Sequence, residues 1–192
     1  MVVDMQNGFV ERELPVPGAR EIVPLVNELI GKFPLVVATQ DWHPADHLSF
    51  ASQHPGKRPF ETGELAGKSH TLWPDHCVMG TWGADFVSDL ETHRFAAIFR
   101  KGMHREVDSY SGFMDDVEGY RTGLDGFLRE HGVGEIHLCG LALDHCVKAT
   151  ALHGRRFGFT VSVHLPATRP VTREGGSGAI REMKASGISV IA

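Results

Sequence analysis

Apolar, β-branched runs alternate along the chain with segments whose apolar residues recur at helical spacing. "MVVDM" (1–5) reads as a first strand. "PLVVATQD" (34–41), "AAIFRKG" (96–102), "EIHLCGL" (135–141), "FTVSVHL" (159–165) and "ISVIA" (188–192) read as five more. The second is apolar almost throughout, as expected of a parallel sheet covered on both faces. Between the first two, "GAREIVPLVNELIGKF" sets Ile22, Val23, Val26, Leu29 and Ile30 on one helix face, with Pro24 restricted to the first turn. Further helices are predicted over 84–91, 122–131, 144–157 and 173–186. This alternation specifies an α/β fold, a three-layer α/β/α sandwich around a six-stranded, mostly parallel, Rossmann-like sheet. No repeat, low-complexity tract or linker interrupts residues 1–192, so a single domain is expected. The exception is the stretch 42–80, rich in Pro, Gly and His; segments that long between elements are usually functional in compact domains.

Charge and composition remove several classes of function. The 192 residues carry 24 acidic and 19 basic side chains, a net charge of −5, and no basic run. A nucleic-acid or anionic-membrane surface is therefore not expected. No apolar run approaches the ~20 residues that span a bilayer. The start, "MVVDMQNGF", lacks the charged and long apolar regions of a signal peptide. Cys77, Cys139 and Cys146 are an odd number without paired spacing, which suits a reducing cytoplasm better than a disulfide scaffold. The sequence sets no oligomeric state, and a homo-oligomer stays open.

In parallel α/β sheets, ligands bind beyond the carboxyl ends of the strands. The chemically capable residues gather there: Asp4 after strand one, Asp41 and His43 after strand two, Lys101 after strand three, and Cys146 opening the helix after strand four. "CGLALDHCV" (139–147) allows several readings: a metal clasp, a redox pair, half a disulfide framework, or a nucleophile on a helix. Asp144 reads as the N-cap of the helix, which puts Cys146 at its second position. Unpaired N–H groups and the helix dipole there favour thiolate, and Lys101 adds to this. Asp4 is suited to take the thiol proton and later deliver it to a leaving group. Backbone N–H groups around Ala142 and Cys146 would face a developing oxyanion. Cys139, inside an apolar strand, reads as core, and Cys77 as inert. A lone free cysteine is usually a small buried hydrophobe, so the convergence of three such groups carries the nucleophile reading.

Asp41 and His43 are two apart, so an extended backbone aims both to one side. His47 follows, and "WPDHCV" adds His76. One carboxylate with up to three imidazoles suits a divalent transition metal, zinc first, with iron or manganese as alternatives. The other eight histidines read as surface or hydrogen-bonded residues, and His145 as lining the site. No Gly-rich phosphate loop follows strand one, which argues against a flavodoxin-like cofactor binder.

Over essentially its whole length the chain resembles the isochorismatase-like cysteine hydrolases, and within them the nicotinamidase/pyrazinamidase group. "VVDMQNGF" is similar to the first-strand motif, implying Asp4 as the acid of a triad. "ATQDWHP" with "DHLSF" resembles the metal loop, implying Asp41, His43 and His47 as ligands. "LWPDHCVMGTWGADF" implies His76 as the last ligand and Trp73 in the pocket wall. "FRKGMHREVDSYSGF" implies Lys101 as the catalytic lysine, with Tyr110 nearby, and "GLALDHCVKATAL" implies Cys146 as nucleophile. The resemblance also implies a cis peptide between Leu141 and Ala142, and an oxyanion hole at Ala142 and Cys146. It implies hydrolysis of nicotinamide to nicotinate and ammonia, with the ring between Phe9 and Trp73 and its nitrogen held by the metal. The chain departs from the pattern at Gly8, where Asp is common, at Leu143 and Pro166, and in "VERELPV" (10–16), shorter and more charged than the usual Gly-rich stretch. Two rivals remain at this stage: a relative acting on another amide, carbamoyl or vinyl-ether substrate, and a non-catalytic metal- or ligand-binding relative.

Overall fold

A computed structural model describes residues 1–192. Eight strands and five α-helices run in the order β1 (Val2–Val3), α1 (Asn7–Val10), α2 (Val23–Lys32), β2 (Val37–Asp41), β3 (Thr62–Leu65), β4 (Lys68–Thr71), β5 (Ala97–Lys101), α3 (Leu124–Glu130), β6 (Glu135–Leu141), α4 (Lys148–Arg156), β7 (Thr160–Arg169), α5 (Arg173–Ala185) and β8 (Ser189–Ile191). Six strands form one sheet in the order β5-β2-β1-β6-β7-β8, and every pair in it is parallel. The strands alternate side chains between two cores. Val2, Ala38, Cys139 and Leu141 pack with Ile22, Val26 and Ile30 on one face. Val3, Val37, Ile136 and Leu138 pack with α3, α4 and α5 on the other. This is the three-layer sandwich expected from the sequence. No helix is long and apolar enough to cross a membrane.

Two glycines are required by close approach. Gly140 has φ +108°, and a side chain there would strike the backbone of Val3 in the neighbouring strand. Gly102 has φ +67°, and a side chain there would strike the His43 ring.

The predicted helix at 84–91 does not form. A 3₁₀ turn at Trp82–Ala84 leads into backbone that pairs with the β1–α1 junction, through Asn7 N–H to Asp85 O and Val87 N–H to Met5 O. Ala84, Val87 and Leu90 are buried as their spacing suggested, but tertiary pairing rather than a helix buries them. Residues 42–80 also contain a hairpin, β3 with β4. β7 runs to Arg169, beyond its predicted end, because the β6–β7 register shifts between Leu138 and Gly140. Pro166, which has no N–H to give, falls in that irregularity.

Candidate active site

β1, β2 and β5 lie on one side of the sheet's midline and β6, β7 and β8 on the other, so the order in which strands are added reverses between β1 and β6. Ligands bind at such switch points, and Asp4 and Cys146 follow these two strands. Asp4 has φ +45°, a left-handed conformation that Asp tolerates better than most residues. Its Oδ1 accepts the Thr39 hydroxyl at 2.6 Å.

Lys101 is the hub. Its Nζ donates to Asp41 Oδ1 (2.5 Å), to Ser109 O (3.0 Å) and to Cys146 Sγ (3.4 Å), and lies 2.9 Å from Asp4 Oδ2. An ammonium has three protons to give, and the first three partners take them. Asp4 Oδ2 is therefore ion-paired yet receives no aligned hydrogen bond, which leaves a lone pair free for another proton. The Lys101 side chain is fully buried. Burial alone would lower its pKa, but Asp4 and Asp41 raise it well above the ordinary lysine value. Burial raises Asp4, with Lys101 opposing. Burial acts likewise on Asp41, but Lys101, His43 and His76 overcome it and hold that carboxyl well below the usual range.

The sequence expectation for Cys146 changes here. Residues Leu143–Val147 wind as a single π-helical turn before α4, so Cys146 is the fourth residue of that turn. Asp144 does not cap it; its carboxylate accepts the N–H groups of Val171 (2.8 Å) and Thr172 (3.1 Å), pinning the loop before α5. Burial pushes the Cys146 thiol well up, Asp4 and Asp41 add to this, and Lys101 offsets only part. For a sulfur held in this way to act as a nucleophile, its proton must pass to a partner at hand. The peptide between Leu141 and Ala142 is cis. The Ala142 carbonyl accepts from His145 and Val147, while its N–H donates to no protein group.

Beside this network, one ligand atom each from Asp41, His43 and His76 lies within 4.8 Å of the others. His43 Nδ1 contacts Gly102 O at 2.9 Å and His76 Nδ1 contacts Pro74 O at 2.8 Å. A carbonyl only accepts, so each Nδ1 carries a proton and each Nε2, facing Asp41 Oδ2 at 3.7 and 3.9 Å, offers its lone pair when the ring is neutral. Carbonyl anchors of this kind fix the tautomer of metal-binding histidines, and the trio fits a divalent transition metal. His47 is not one of that trio but belongs to a second group, with His43 and Asp108, whose ligand atoms also lie within 4.8 Å of one another. Its Nδ1 is held by Ser49 (2.7 Å) and its Nε2 faces Val107 O (3.3 Å), with the ring centroid 4.5 Å from that of His43.

Phe9, Leu14, Val16, Trp73, Tyr110, Ala142, His145 and Val171 line a pocket whose polar floor is Asp41, His76, Asp108 and Cys146. Trp73 Nε1 donates to the Tyr110 hydroxyl at 2.9 Å, and His145 packs edge-on against Trp73. The structure therefore brings Phe9, Trp73, Tyr110 and His145 to one cavity with Cys146. Sequence reasoning missed Asp108, Thr39 and Ser109. Asp108 lies 3.0 Å from His70 and reaches the pocket floor, and its only signal was its place seven residues beyond Lys101 in the quoted "VDSYSGF".

Burial and the neighbouring His43 hold both His47 and His76 at about 4, below the ordinary histidine value of 6.5. Between these values the unfolded chain binds more protons than the folded one, so this contribution to stability is complete above 6.5 and is lost as pH falls towards 4. Asp116, raised by burial to about 6, Asp4, raised by burial, and His43, raised by Asp41 against burial, oppose it over part of that range. Thermal unfolding of metal-free protein is expected at lower temperature at pH 5 than at pH 7.5, and His76→Gln should flatten the difference.

An isochorismatase domain matches residues 1–192. The chain belongs to the isochorismatase family. A nicotinamidase of Acinetobacter baylyi is 42% identical over 193 residues, covering 100% of this chain and 90% of that protein. The solved nicotinamidase/pyrazinamidase of Acinetobacter baumanii superposes with a TM-score of 0.95 at 44% identity, covering 99% of this chain and 93% of the other. A Pyrococcus horikoshii pyrazinamidase, solved in complex with zinc, has a TM-score of 0.81 at 39% identity and covers 99% and 96%.

Proposed function

We propose that this protein hydrolyses nicotinamide, and pyrazinamide with it, to the aromatic carboxylate and ammonia through a thioester on Cys146. The observation that carries the reading is the contact of one buried ammonium, Lys101, with Cys146 Sγ, Asp41 and Asp4 at the floor of an aromatic-walled pocket. The relatives above support the choice of substrate. The ring lies between Phe9 and Trp73. A divalent metal held by Asp41, His43 and His76, most simply zinc as in the Pyrococcus relative, would anchor the pyridine nitrogen directly or through water.

The chemistry then follows from the chain's own groups. Asp4 Oδ2 takes the thiol proton, and Sγ attacks the carboxamide carbon. The developing oxyanion meets the Ala142 N–H, with the Cys146 N–H as second donor; such donors each contribute roughly 10²–10³ in rate. The C–N bond breaks as Asp4 passes its proton to nitrogen, releasing ammonia. A water then attacks the thioester and gives a proton to Asp4; the C–S bond breaks, Asp4 returns that proton to Sγ, and the product acid leaves, losing its remaining proton to solvent. Lys101 stays protonated throughout, balancing whichever of Asp4 and Cys146 carries charge. The product acid places the reaction in recycling of nicotinamide towards NAD, and the three unpaired cysteines suit a cytoplasmic enzyme.

A substrate panel tests this directly, read as ammonia released from amides and ureido compounds and as the carbonyl product released from a vinyl ether. Nicotinamide and pyrazinamide should turn over far faster than N-carbamoyl or vinyl-ether substrates. A chelator should remove the activity and zinc restore it. Preference for a carbamoyl or vinyl-ether substrate would overturn the reading, and chelator-resistant activity with no bound metal would overturn the metal assignment.

A further inference from the structure

The segment "VERELPV" (Val10–Val16) departs from the family's pattern, and the proposed chemistry does not use its charges. Leu14 and Val16 line the pocket, and the segment folds back on α1 through Leu14 N–H to Gly8 O (3.0 Å) and Val16 N–H to Phe9 O (2.8 Å). Glu13 turns away from the pocket. Its carboxylate enters a notch between Gly8 of α1 and Gly83 of the 82–84 turn, where a Cβ on either glycine would overlap the carboxylate oxygens. Neither glycine has a positive φ, so backbone conformation does not demand glycine there. Room for the carboxylate does.

Within the notch Glu13 Oε2 accepts the Cys77 N–H at 3.4 Å. Cys77 follows His76, and its carbonyl accepts the His43 N–H at 3.1 Å. Gly83 precedes Ala84, whose carbonyl accepts Gln6 Nε2 (2.8 Å) and Gln40 Nε2 (2.9 Å). One carboxylate thus joins the pocket lip to the segment that carries His76 and orients His43. The adjacent Arg12 stacks on Trp82, 5.2 Å from the ring centroid, and holds the same junction from outside.

We infer that Glu13 is a positioning residue: it clamps the Leu14–Val16 lip against the metal side of the pocket and so selects an unsubstituted six-membered heteroaromatic carboxamide over ring-substituted ones. The selectivity half of the inference rests on the proposed function; the clamp itself does not. Glu13→Ala should raise KM for nicotinamide up to about tenfold, the scale of one lost hydrogen bond, with kcat nearly unchanged, because ring binding is weakened equally in ground and transition states. It should also raise kcat/KM for 5-methylnicotinamide relative to nicotinamide, with metal content unaltered. Glu13→Gln fills the notch, keeps the acceptor and should behave like the parent. Gly83→Ala, whose Cβ would meet the Glu13 carboxylate first and expel it from the notch, should reproduce Glu13→Ala in the parent and add little in the Glu13→Ala background, the non-additivity of groups in contact.

Limited trypsin digestion after Arg12 reads the clamp with no substrate present, and Glu13→Ala should be cut faster there than the parent. Unchanged KM and cleavage, metal loss in Glu13→Ala, equal damage from Glu13→Gln, or simple additivity with Gly83→Ala would each overturn the inference. A parent inactive on nicotinamide but clamped at Arg12 would instead overturn the proposed function together with the selectivity.

Discussion

Cys146→Ala should lower nicotinamide hydrolysis by at least about 10⁴-fold, the scale on which removing a nucleophile acts in an enzyme whose catalytic groups work as a unit. The folded state should survive. Cys146 is buried in a packed turn, and alanine removes one sulfur that contributes a single hydrogen bond, from Lys101 at 3.4 Å. Ammonia release and thermal unfolding measured on the same preparation separate the two effects. Activity above a trace in a folded variant would mean that another group makes the bond to carbon. Cys146→Ser is expected to be nearly as inactive, since a hydroxyl is harder to ionise than a thiol and burial already raises the thiol.

Lys101→Met should cost both activity and stability, with stability falling by about 3–5 kcal/mol, the usual penalty for removing one partner from a buried ion pair. The loss comes from what remains: Asp4 and Asp41 are buried and each relies on this ammonium. Adding Asp4→Asn to Lys101→Met should recover part of the stability, because one buried charge then disappears, but none of the activity. Denaturant unfolding of the parent, the single and the double variant checks this. A single variant as stable as the parent would show that the network is solvated and that the Lys101 hub is misread.

What could be read from the chain follows a physical division. Strands covered on both faces announce themselves as continuous apolar runs, so "PLVVATQD", "EIHLCGL" and their partners were readable, as was the convergence of Asp4, Lys101 and Cys146 on one rim. The two-residue spacing of Asp41 and His43 correctly set both on one side of β2. Segments whose partners are distant in sequence were not readable. Ala84, Val87 and Leu90 repeat every three residues like a helix face, yet the backbone around them pairs with residues 5–7. Asp144 looks like a local cap, but the N–H groups it serves are 27 and 28 residues away. His47 and His76 are chemically equivalent on paper. Only the folded chain shows that Ser49 and Val107 set one beside His43 and Asp108, while Pro74 aims the other at Asp41. Asp108 and Thr39 belong to no periodic pattern, and only the folded chain sets them beside the site.

The central claim is a thioester on Cys146, and acyl partitioning tests it most directly. Zinc-loaded protein is supplied with nicotinamide or methyl nicotinate, and the ratio of nicotinohydroxamate to nicotinate is measured over a range of hydroxylamine concentrations. A shared nicotinoyl-enzyme predicts hydroxamate rising with hydroxylamine and the same ratio from both substrates, because their leaving groups have already departed. A ratio that depends on the substrate, or nicotinate formed with no hydroxamate at any concentration, would contradict the thioester and point to direct attack by water.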